Sequence, residues 1–519
     1  MHLLIFSDGT WNTPDQMDGG LPAPTNVVKL RNAVAPLARD GSRQRVYYHT
    51  GVGTEGGWWS RIAGGGLGHG LDRNIMSAYA WACRTYQPGA KIWLFGFSRG
   101  AYTVRSLGGM IARCGLLDPQ ASELTSEKAF WDAVEDLFNI YRQPADKAPP
   151  VVASDELHFH DRSQGQATKE SIPIHFIGVW DTVGALGVPD DMALLDLLDD
   201  PRRHEFHDTT LSPIVKNARH ALAIDERRQS FTPTLWTGVE DKPDVKQIWF
   251  PGVHGDVGGG YGRSGLSDNA LAWMMDEAED CGLGLRADVK AQLAPDPQGQ
   301  LHDSLTGIFE SLKTRPRQVP RIEKDGALLH SSAWERQETP SVLQGDYWKT
   351  TVLGPQESEE VDVFARPHWN STGLYLEAGT PYDLTATGEW LDSSIRSDPG
   401  GTKDGKFYPG EIAQVASSGL GKLESLYKRL TGNRQADFWL TRREEDLDWF
   451  VLVGLVANGV HVPPNAKKVP DFPRHEVFRI GKGARFTPSR GGYLYAFAND
   501  AWQLYFNNAG SVRMRVTRP

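Results

Sequence analysis

A serine flanked by glycines follows an apolar run in "KIWLFGFSRGAYTVRSL", a setting that could support chemistry. Residues 96–100 match Gly-x-Ser-x-Gly, the pattern of a nucleophile elbow, in which a strand turns sharply into a helix and exposes the serine oxygen. The two glycines avoid a Cβ clash in that turn. The pattern predicts that Ser98 is a nucleophile for acyl transfer. The alternative interpretation is a small residue in a tight turn.

A serine hydroxyl is a weak nucleophile that needs a base, and the base needs an acid to orient it. Among the 15 histidines, His254 in "IWFPGVHGDVGGGY" directly follows a predicted strand and enters a glycine-rich loop. We therefore expect His254 to be the general base. Asp181, in "IHFIGVWDTVGALG", ends the preceding strand and is the favoured acid. The order Ser98, Asp181, His254 is that of α/β-hydrolases.

Other carboxylates compete for the role of the acid. Asp256 lies two residues after the candidate base and could bond its own loop instead. Asp225, in "ARHALAIDERRQSF", could pair with Arg227 or Arg228. Asp181 itself could cap the turn that begins "DTVG". Asp181 remains the favoured acid, with these alternatives open.

An ester hydrolase also needs N–H donors for the oxyanion of the tetrahedral intermediate. The backbone N–H of Arg99 lies at the start of a predicted helix, whose dipole favours negative charge there. A second donor is expected from "FSDGTWN", where Gly9 or Thr10 offers a backbone N–H. Asp8 in this loop could instead suggest an acyl-phosphate phosphatase. The partner acid that would hold magnesium two positions away is absent, so we disfavour that chemistry.

Two kinds of predicted structure position these residues. Up to about residue 290, short apolar strands alternate with helical patterns, which predicts an α/β fold with a mostly parallel sheet covered on both faces. Residues 92–97 lack polar alternation, as expected of a strand buried on both sides. Residues 291–355 are rich in Pro, Gln, Asp and Lys and are predicted to connect two domains. Short β-type runs with Gly and Asn turns predict an all-β sandwich over 356–519.

The composition narrows the classes of function. A net charge of −10 and an isoelectric point near 5.9 argue against nucleic acid as a partner, because phosphate binding needs clustered Lys and Arg. Three widely spaced cysteines suggest neither a disulfide framework nor a zinc site. No stretch approaches the roughly 20 apolar residues of a transmembrane span, and the N-terminus lacks a signal-peptide pattern. We expect cytoplasmic synthesis, with any export independent of such a signal.

A glycine-rich segment, "GVGTEGGWWSRIAGGGLGHG" (51–70), lies between a predicted strand and a predicted helix. It lacks the Gly-Lys-Ser/Thr ending of a phosphate-binding loop, so nucleotide binding is disfavoured. Trp58 and Trp59 lie in this segment. Such aromatics either enter a lipid interface or anchor in a core, so transient contact with a membrane surface is one expectation.

Six motifs in order resemble the catalytic domain of the class-one type VI lipase effectors, a bacterial hydrolase family. They span residues 1 to 290 and are "FSDGTWN", "GVGT", "GFSRGAYTVRSLGGMI", "GVWDTVGALG", "ARHALAIDERR" and "HGDVGGGY". The resemblance implies an α/β-hydrolase fold and a Ser-His-Asp esterase that uses no cofactor and cleaves glycerophospholipids in a phospholipase A-like reaction. By position it assigns the serine to Ser98, the histidine to His254 and the acid to Asp181. It also implies export by the type VI route, with a secretion-system carrier and an immunity protein as partners.

The segment "YAFANDAWQLYFNNAGSVRMRV" (495–516) resembles the calcium-binding segment of bacterial galactophilic lectins, and "WNSTGLYLEAGTPYDLTATGEW" resembles the first strands of that β-sandwich. The resemblance implies a Ca²⁺ site and a glycan partner. The ligands implied are the carboxylate of Asp500, the backbone carbonyl of Leu504, the side-chain oxygens of Asn507 and Asn508, and a carbonyl near Asp392. The alternative is that these asparagine pairs simply build turns.

The sequence therefore favours a serine esterase that acts on lipid or phospholipid acyl esters and carries a carbohydrate- or surface-binding β-sandwich. A second hypothesis is a calcium-dependent sugar-binding protein with an inert hydrolase fold. A third hypothesis keeps the esterase but replaces the lipid with a soluble or polymeric ester.

Overall fold

The computed structural model describes residues 1–9, 12–51, 67–120, 126–143, 172–184, 210–239, 242, 244–306, 313–392, 395–402, 443–444, 446–460 and 474–519. The chain divides into two compact units. The first contains Met1–Arg317 and Glu323–Tyr347, and the second contains Gln318–Ile322 and Trp348–Pro519. Residues 291–355, predicted to connect two domains, thus contribute to both units. Trp58 and Trp59 lie outside the described residues.

The first unit is built of strands that alternate with helices. Its strands are β1 (His2–Ser7), β2 (Met17–Asp18), β3 (Leu21–Pro22), β4 (Gln44–His49), β5 (Lys91–Phe97), β6 (Ile174–Trp180), β7 (Ala218–Ala223) and β8 (Val245–Phe250). Its described helices are α1 (Asn26–Ala33), α2 (Leu67–Thr85), α3 (Arg99–Cys114), α4 (Glu127–Arg142), α5 (His254–Gly258), α6 (Gly265–Asp280), α7 (Ala287–Lys290) and α8 (Ser331–Glu338).

Six of these strands form one parallel sheet within the described part of the chain. Their order is β4-β1-β5-β6-β7-β8, and every neighbouring pair is parallel. The short strands β2 and β3 form a separate antiparallel hairpin. The predicted α/β architecture with a mostly parallel sheet is confirmed.

Alternate side chains of the central strands point into two different cores. Leu3 of β1 and Leu94 of β5 belong to one buried cluster, together with side chains of α2, α3 and α4. Leu4 and Phe95 belong to a second cluster with side chains of α1 and α6. Because both faces of the sheet are covered, β5 is buried along nearly its whole length, as its unbroken apolar sequence predicts.

The structure gives the burial of the three cysteines and the length and polarity of the described helices. Cys83 and Cys114 are buried, Cys281 is half-buried, and all three are free thiols. Among the helices of the described residues, none is both long enough and apolar enough to cross a membrane.

The second unit is built of antiparallel strands, as the sequence predicts. They are β9 (Ser358–Phe364), β10 (Asn370–Leu376), β11 (Tyr382–Asp392), β12 (Ile395–Ser397), β13 (Leu452–Val460), β14 (Arg474–Arg479), β15 (Gly483–Phe486), β16 (Gly492–Ala498) and β17 (Asn508–Thr517). One sheet has the order β10-β16-β13-β14 and the other the order β12-β11-β17-β9, with β15 paired to β11. Both sheets contribute to one buried cluster, for example through Leu494 of the first and Met514 of the second.

Candidate active site

Ser98 occupies a strained turn between β5 and α3. Its φ of 57° and ψ of −124° lie in a region that costs a non-glycine residue about 1–3 kcal/mol. The neighbouring glycines are required sterically. A Cβ at Gly96 would lie 2.5 Å from the Gly100 oxygen, and a Cβ at Gly100 would overlap the carbonyl oxygen of Ser7. The predicted strand-turn-helix setting of the motif is therefore present.

The structure brings Asp181 and His254 together as a buried, hydrogen-bonded pair. Asp181 follows β6 and His254 begins α5 after β8, so both lie at the carboxyl edge of the parallel sheet. Nδ1 of His254 donates to Oδ2 of Asp181 at 2.6 Å. Because an ionised carboxylate only accepts hydrogen bonds, the proton of the neutral ring lies on Nδ1. Nε2 is therefore the basic nitrogen.

The backbone of Ser98 and the residue before it both contact the segments that carry Asp181 and His254. The backbone N–H of Ser98 donates to the carbonyl oxygen of Trp180, the residue before Asp181, at 3.1 Å. The ring of Phe97, the residue before Ser98, packs against that of His254 with 4.6 Å between the ring centroids and a tilt of 33°. Nε2 of His254 is buried and has no hydrogen-bond partner among the described residues. This nitrogen is thus available to accept a proton, and catalytic hydrogen bonds often tighten only when substrate binds.

Four donors converge on the carboxylate of Asp181. Besides His254, the backbone N–H of Ala223 donates to Oδ1 at 3.0 Å. The guanidinium of Arg317 donates to both oxygens, from Nη1 at 2.7 Å and from Nη2 at 2.9 Å. Burial alone would raise the pKa of Asp181, but the charge of Arg317 and the hydrogen bonds from His254 and Arg317 hold it well below the usual range. Asp181 is therefore ionised and accepts from His254.

Ester hydrolysis by the predicted Ser-His-Asp residues is expected to slow in acid only below pH 6.5. Burial lowers the pKa of His254 from its ordinary value of 6.5, and the hydrogen bond and charge of Asp181 oppose that effect only in part. Because His254 in its neutral form is the predicted base, kcat/KM should rise as the pH increases through this lowered pKa. A profile of kcat/KM across the acid range measures it. A half-maximal point above 6.5 would contradict the lowered pKa of His254.

The two alternative acids are engaged elsewhere. Asp256 accepts from Nδ1 of His302 at 2.5 Å. Asp225 accepts from the backbone N–H of Gly252 at 2.7 Å and from the hydroxyl of Tyr347 at 2.8 Å. Asp181 is thus the carboxylate that contacts the imidazole of His254.

A neighbouring carboxylate, Glu226, supports the backbone of the base. It accepts from the N–H of His254 at 3.3 Å and from the hydroxyl of Ser304 at 3.0 Å. It also forms a bidentate pair with Arg228, at 2.9 and 2.8 Å. Burial would raise the pKa of Glu226, but the hydrogen bonds and charge of Arg228 lower it to about 2. Arg228, one of the two arginines that could pair with Asp225, forms a bidentate ion pair with Glu226.

The predicted oxyanion donors have different settings. Arg99 opens α3, so its N–H lies in the first turn of the helix, where the helix dipole favours negative charge. The N–H of Gly9 donates to Oδ1 of Asp8 at 2.8 Å. The N–H of Gly9 is therefore engaged within its own loop in this structure, and its role as an oxyanion donor stays a prediction. Thr10 lies outside the described residues.

The predicted calcium ligands lie close together in the second unit. Asn508 of β17 is paired in register with Asp392 of β11, and its Nδ2 donates to Oδ2 of Asp500 at 2.9 Å. Nδ2 of Asn507 donates to Oδ1 of Asp392 at 3.4 Å. The carbonyl of Leu504 accepts from the N–H of Asn507 at 3.2 Å. Oδ1 of Asn508 is buried without a hydrogen-bond partner among the residues described.

The first unit matches a known family of proteins over most of its length. The model of the family described as "T6SS, Phospholipase effector Tle1-like, catalytic domain" matches residues 1–277, more than half of the chain. The chain belongs to this Tle1-like family. The matched span contains Ser98, Asp181 and His254, and the resemblance stated from the sequence motifs is confirmed.

Individual proteins also resemble parts of this Tle1-like chain. An uncharacterized protein of Saccharomyces cerevisiae is 30% identical over 243 residues, which are 44% of this chain and 32% of the yeast protein. This chain thus spans about a third of that relative. The structure "Tle1 effector bound to the VgrG spike from the Type 6 secretion system" is 17% identical, with a TM-score of 0.30 over 50% of this chain and 51% of that one. The "EclA N-terminal domain; PllA-like lectin" is 19% identical, with a TM-score of 0.18 over 31% of this chain and 95% of that one.

Two residues of the Tle1-like site were missed by the sequence analysis. Glu226 lies in "ARHALAIDERR", directly after the candidate acid Asp225. Arg317 lies in "SLKTRPRQVPRIEKDGA", beyond the span matched by the family and in the stretch predicted to connect two domains. It lies 136 positions from Asp181. No rule of periodicity or spacing relates residues so far apart, so only the tertiary fold reveals the contact.

Proposed function

We propose that this protein is a serine esterase that hydrolyses acyl esters of glycerophospholipids, with Ser98 as nucleophile, His254 as general base and Asp181 as the acid that orients it. The observation that carries the proposal is the buried hydrogen bond of 2.6 Å between His254 and Asp181, beside a serine in a strained Gly-x-Ser-x-Gly turn. Membership of a phospholipase effector family supports the lipid as substrate. It equally supports export through a type VI secretion system with a carrier protein of that system.

Acylation follows from the roles of the three side chains. Oγ of Ser98 attacks the ester carbonyl carbon while Nε2 of His254 takes the hydroxyl proton. Asp181 keeps the ring oriented through Nδ1 and stabilises the imidazolium. The N–H of Arg99, at the start of α3, stabilises the oxyanion. When the intermediate collapses, the C–O bond to the lipid alcohol breaks, and His254 protonates the alcohol oxygen as it leaves.

Deacylation repeats these steps with water. His254 removes a proton from the water as its oxygen attacks the acyl carbon. The bond to Oγ then breaks, the fatty acid leaves, and the proton returns from His254 to Ser98. This scheme uses no catalytic cofactor.

Hydrolysis of a panel of phospholipid vesicles and short-chain esters tests the proposal. The wild-type protein is expected to release fatty acid from the vesicles, whereas Ser98→Ala releases none. Mass spectrometry of the remaining lysolipid identifies the acyl position that is cleaved. Cleavage of short esters alone would contradict the phospholipid substrate. Absence of any cleavage by the wild-type protein would contradict the esterase.

We propose that the second unit binds Ca²⁺ and, through it, a sugar. Calcium prefers several oxygen ligands from carboxylates, amides and carbonyls. Asp500 is almost fully buried, and the unpartnered buried Oδ1 of Asn508 lies in the same group. A cation held by Asp500, Asn507, Asn508, the carbonyl of Leu504 and a carbonyl near Asp392 would satisfy that oxygen. The oxygen ligands of these residues fit the Ca²⁺ ion that the lectin resemblance implies.

Calorimetric titration of the full chain with CaCl₂ tests this second function. Binding is expected for the wild type and is expected to be lost in Asp500→Asn. The matched control is Asp362→Asn, which removes a carboxylate of the same unit that pairs with Arg513 on the surface. Equal binding by the Asp500 variant would contradict the site. A glycan array with and without chelator then tests the sugar, and calcium binding without any glycan signal would remove that part.

A further inference from the structure

We propose, on the basis of the esterase function above, that Arg317 is a positioning residue of the active site. Its guanidinium fixes the plane of the Asp181 carboxylate and thereby the orientation of His254. Arg317 itself lies outside residues 1–277, the span that matches the catalytic domain of the family.

The hydrogen bonds of Arg317 form a rigid fork. Nη1 donates to Oδ1 of Asp181 at 2.7 Å, and Nη2 donates to Oδ2 at 2.9 Å. Such bidentate pairs add geometric specificity to their charge. The same two nitrogens donate to the backbone carbonyls of Ala223 at 2.7 Å and Phe231 at 2.6 Å. Because two fixed carbonyls orient the guanidinium, the carboxylate is held in one plane before any substrate arrives.

The backbone around Arg317 is tied to the loop after β7. The N–H of Gln229 donates to the carbonyl of Lys313 at 2.9 Å, and the N–H of Arg315 donates to the carbonyl of Arg227 at 2.7 Å. An antiparallel bridge joins Arg228 to Thr314 between them. This loop also carries Phe231, whose ring packs edge-on against His254 with 4.9 Å between the centroids. The segment that delivers Arg317 is thus fixed to the same loop that packs against the base.

Charge balance also requires a cation at this position. Asp181 is fully buried and the side chain of Arg317 is 3% exposed. A buried ion that loses its partner is left with an uncompensated desolvation cost. Neutral His254 supplies a hydrogen bond but no net charge. Arg317 therefore keeps Asp181 ionised, so that the proton taken from the nucleophile stays on His254.

Arg317 and His254 donate to the same oxygen, Oδ2 of Asp181, so the charge of Arg317 disfavours a second cation on the imidazole. The groups that face its imidazole are Asp181 and Glu226, which favour the protonated form, and Arg228, which disfavours it. His220 lies near Asp181, but burial and the charge of Arg105 lower its pKa to about 3, so it is neutral. Removing the charge of Arg317 is therefore expected to raise the pKa of His254 and to shift the acid limb of activity to higher pH.

The variants Arg317→Gln and Arg317→Lys test the proposal against the matched control Arg336→Gln. Arg336 is equally buried but donates to the backbone carbonyls of Pro297 and Gly299. Three quantities are measured against pH: kcat and KM on an ester that the wild type cleaves, and the rate at which a fluorophosphonate labels Ser98. In the labelling reaction Oγ bonds to phosphorus, fluoride leaves, and His254 takes the hydroxyl proton.

Arg317→Gln is expected to lower kcat and the labelling rate by about 100-fold, the cost of a small misplacement of catalytic groups, with little change in KM. Its acid limb should shift to higher pH. Arg317→Lys should recover part of the rate, since lysine retains the charge but not the fork. Arg336→Gln should unfold at a lower temperature, because buried carbonyls lose their donors, yet keep the wild-type pH profile.

Several outcomes would overturn the role of Arg317. One is a folded Arg317→Gln variant whose kcat and whose fall of activity at low pH are those of the wild type. Another is an Arg336→Gln variant whose fall of activity at low pH is shifted as much as that of Arg317→Gln. If the glutamine variant does not fold, the lysine variant decides, and a wild-type rate and profile there would overturn the proposal. A wild-type protein that neither cleaves esters nor is labelled at Ser98 contradicts the esterase function itself, which separates that failure from this one.

Discussion

Replacing Ser98 with glycine is expected to abolish ester hydrolysis and to stabilise the fold in the same step. The hydroxyl is the proposed nucleophile, and loss of the nucleophile in a catalytic triad lowers kcat by a factor on the order of 10⁶. The backbone at φ 57° and ψ −124° costs a residue with a Cβ about 1–3 kcal/mol. Glycine adopts this conformation freely but loses more entropy on folding. We expect a net gain of about 1 kcal/mol in the free energy of unfolding.

Ester hydrolysis and urea unfolding measure the two effects on one preparation. Ser98→Ala is the informative companion, because it removes the hydroxyl and keeps the Cβ. It should be as inactive as the glycine variant but should not gain stability. Ser106→Ala, which removes another buried serine from α3, should keep its activity. An active Ser98→Gly would exclude Ser98 as the nucleophile, and a less stable one would show that the turn is not strained.

Replacing Asp181 with asparagine is expected to lower kcat by a factor of about 10⁴, as in other triads. Both carboxylate oxygens accept two hydrogen bonds each in this site. An amide NH₂ group cannot accept, so in either orientation it opposes a donor of Arg317, and in one of them it also opposes Nδ1 of His254. If it faces Nδ1, the imidazole is driven to the wrong tautomer. The buried Arg317 also loses its counter-charge, which should cost about 3–5 kcal/mol of stability.

Steady-state kinetics and denaturant unfolding test this second expectation. The double variant Asp181→Asn, Arg317→Gln should lose less free energy of unfolding than the two single variants lose in sum, because residues in one ion pair couple energetically. Asp256→Asn is the matched comparison, since Asp256 is also buried and paired with a histidine. If the Asp256 variant lost the larger factor in kcat, Asp181 would be the wrong acid.

The sequence contained much of the fold because the relevant rules act between near neighbours in the chain. The unbroken apolar run at residues 92–97 indicates a strand buried on both faces, and β5 is such a strand. The glycines at 96 and 100 flank the serine because any Cβ there would meet backbone atoms of the turn or of the adjacent strand. The antiparallel texture after residue 355 likewise follows from short strands and turn residues.

The sequence by itself also named Ser98, Asp181 and His254, since each follows a strand whose carboxyl end lies at one edge of a parallel sheet. It left the acid open among three aspartates and the second oxyanion donor open between Gly9 and Thr10. Only the tertiary structure decided that Asp181 contacts His254, that Gly9 donates to Asp8 and that Arg317 holds the acid. These contacts depend on side-chain directions and on packing between distant segments, which no local pattern in the chain encodes.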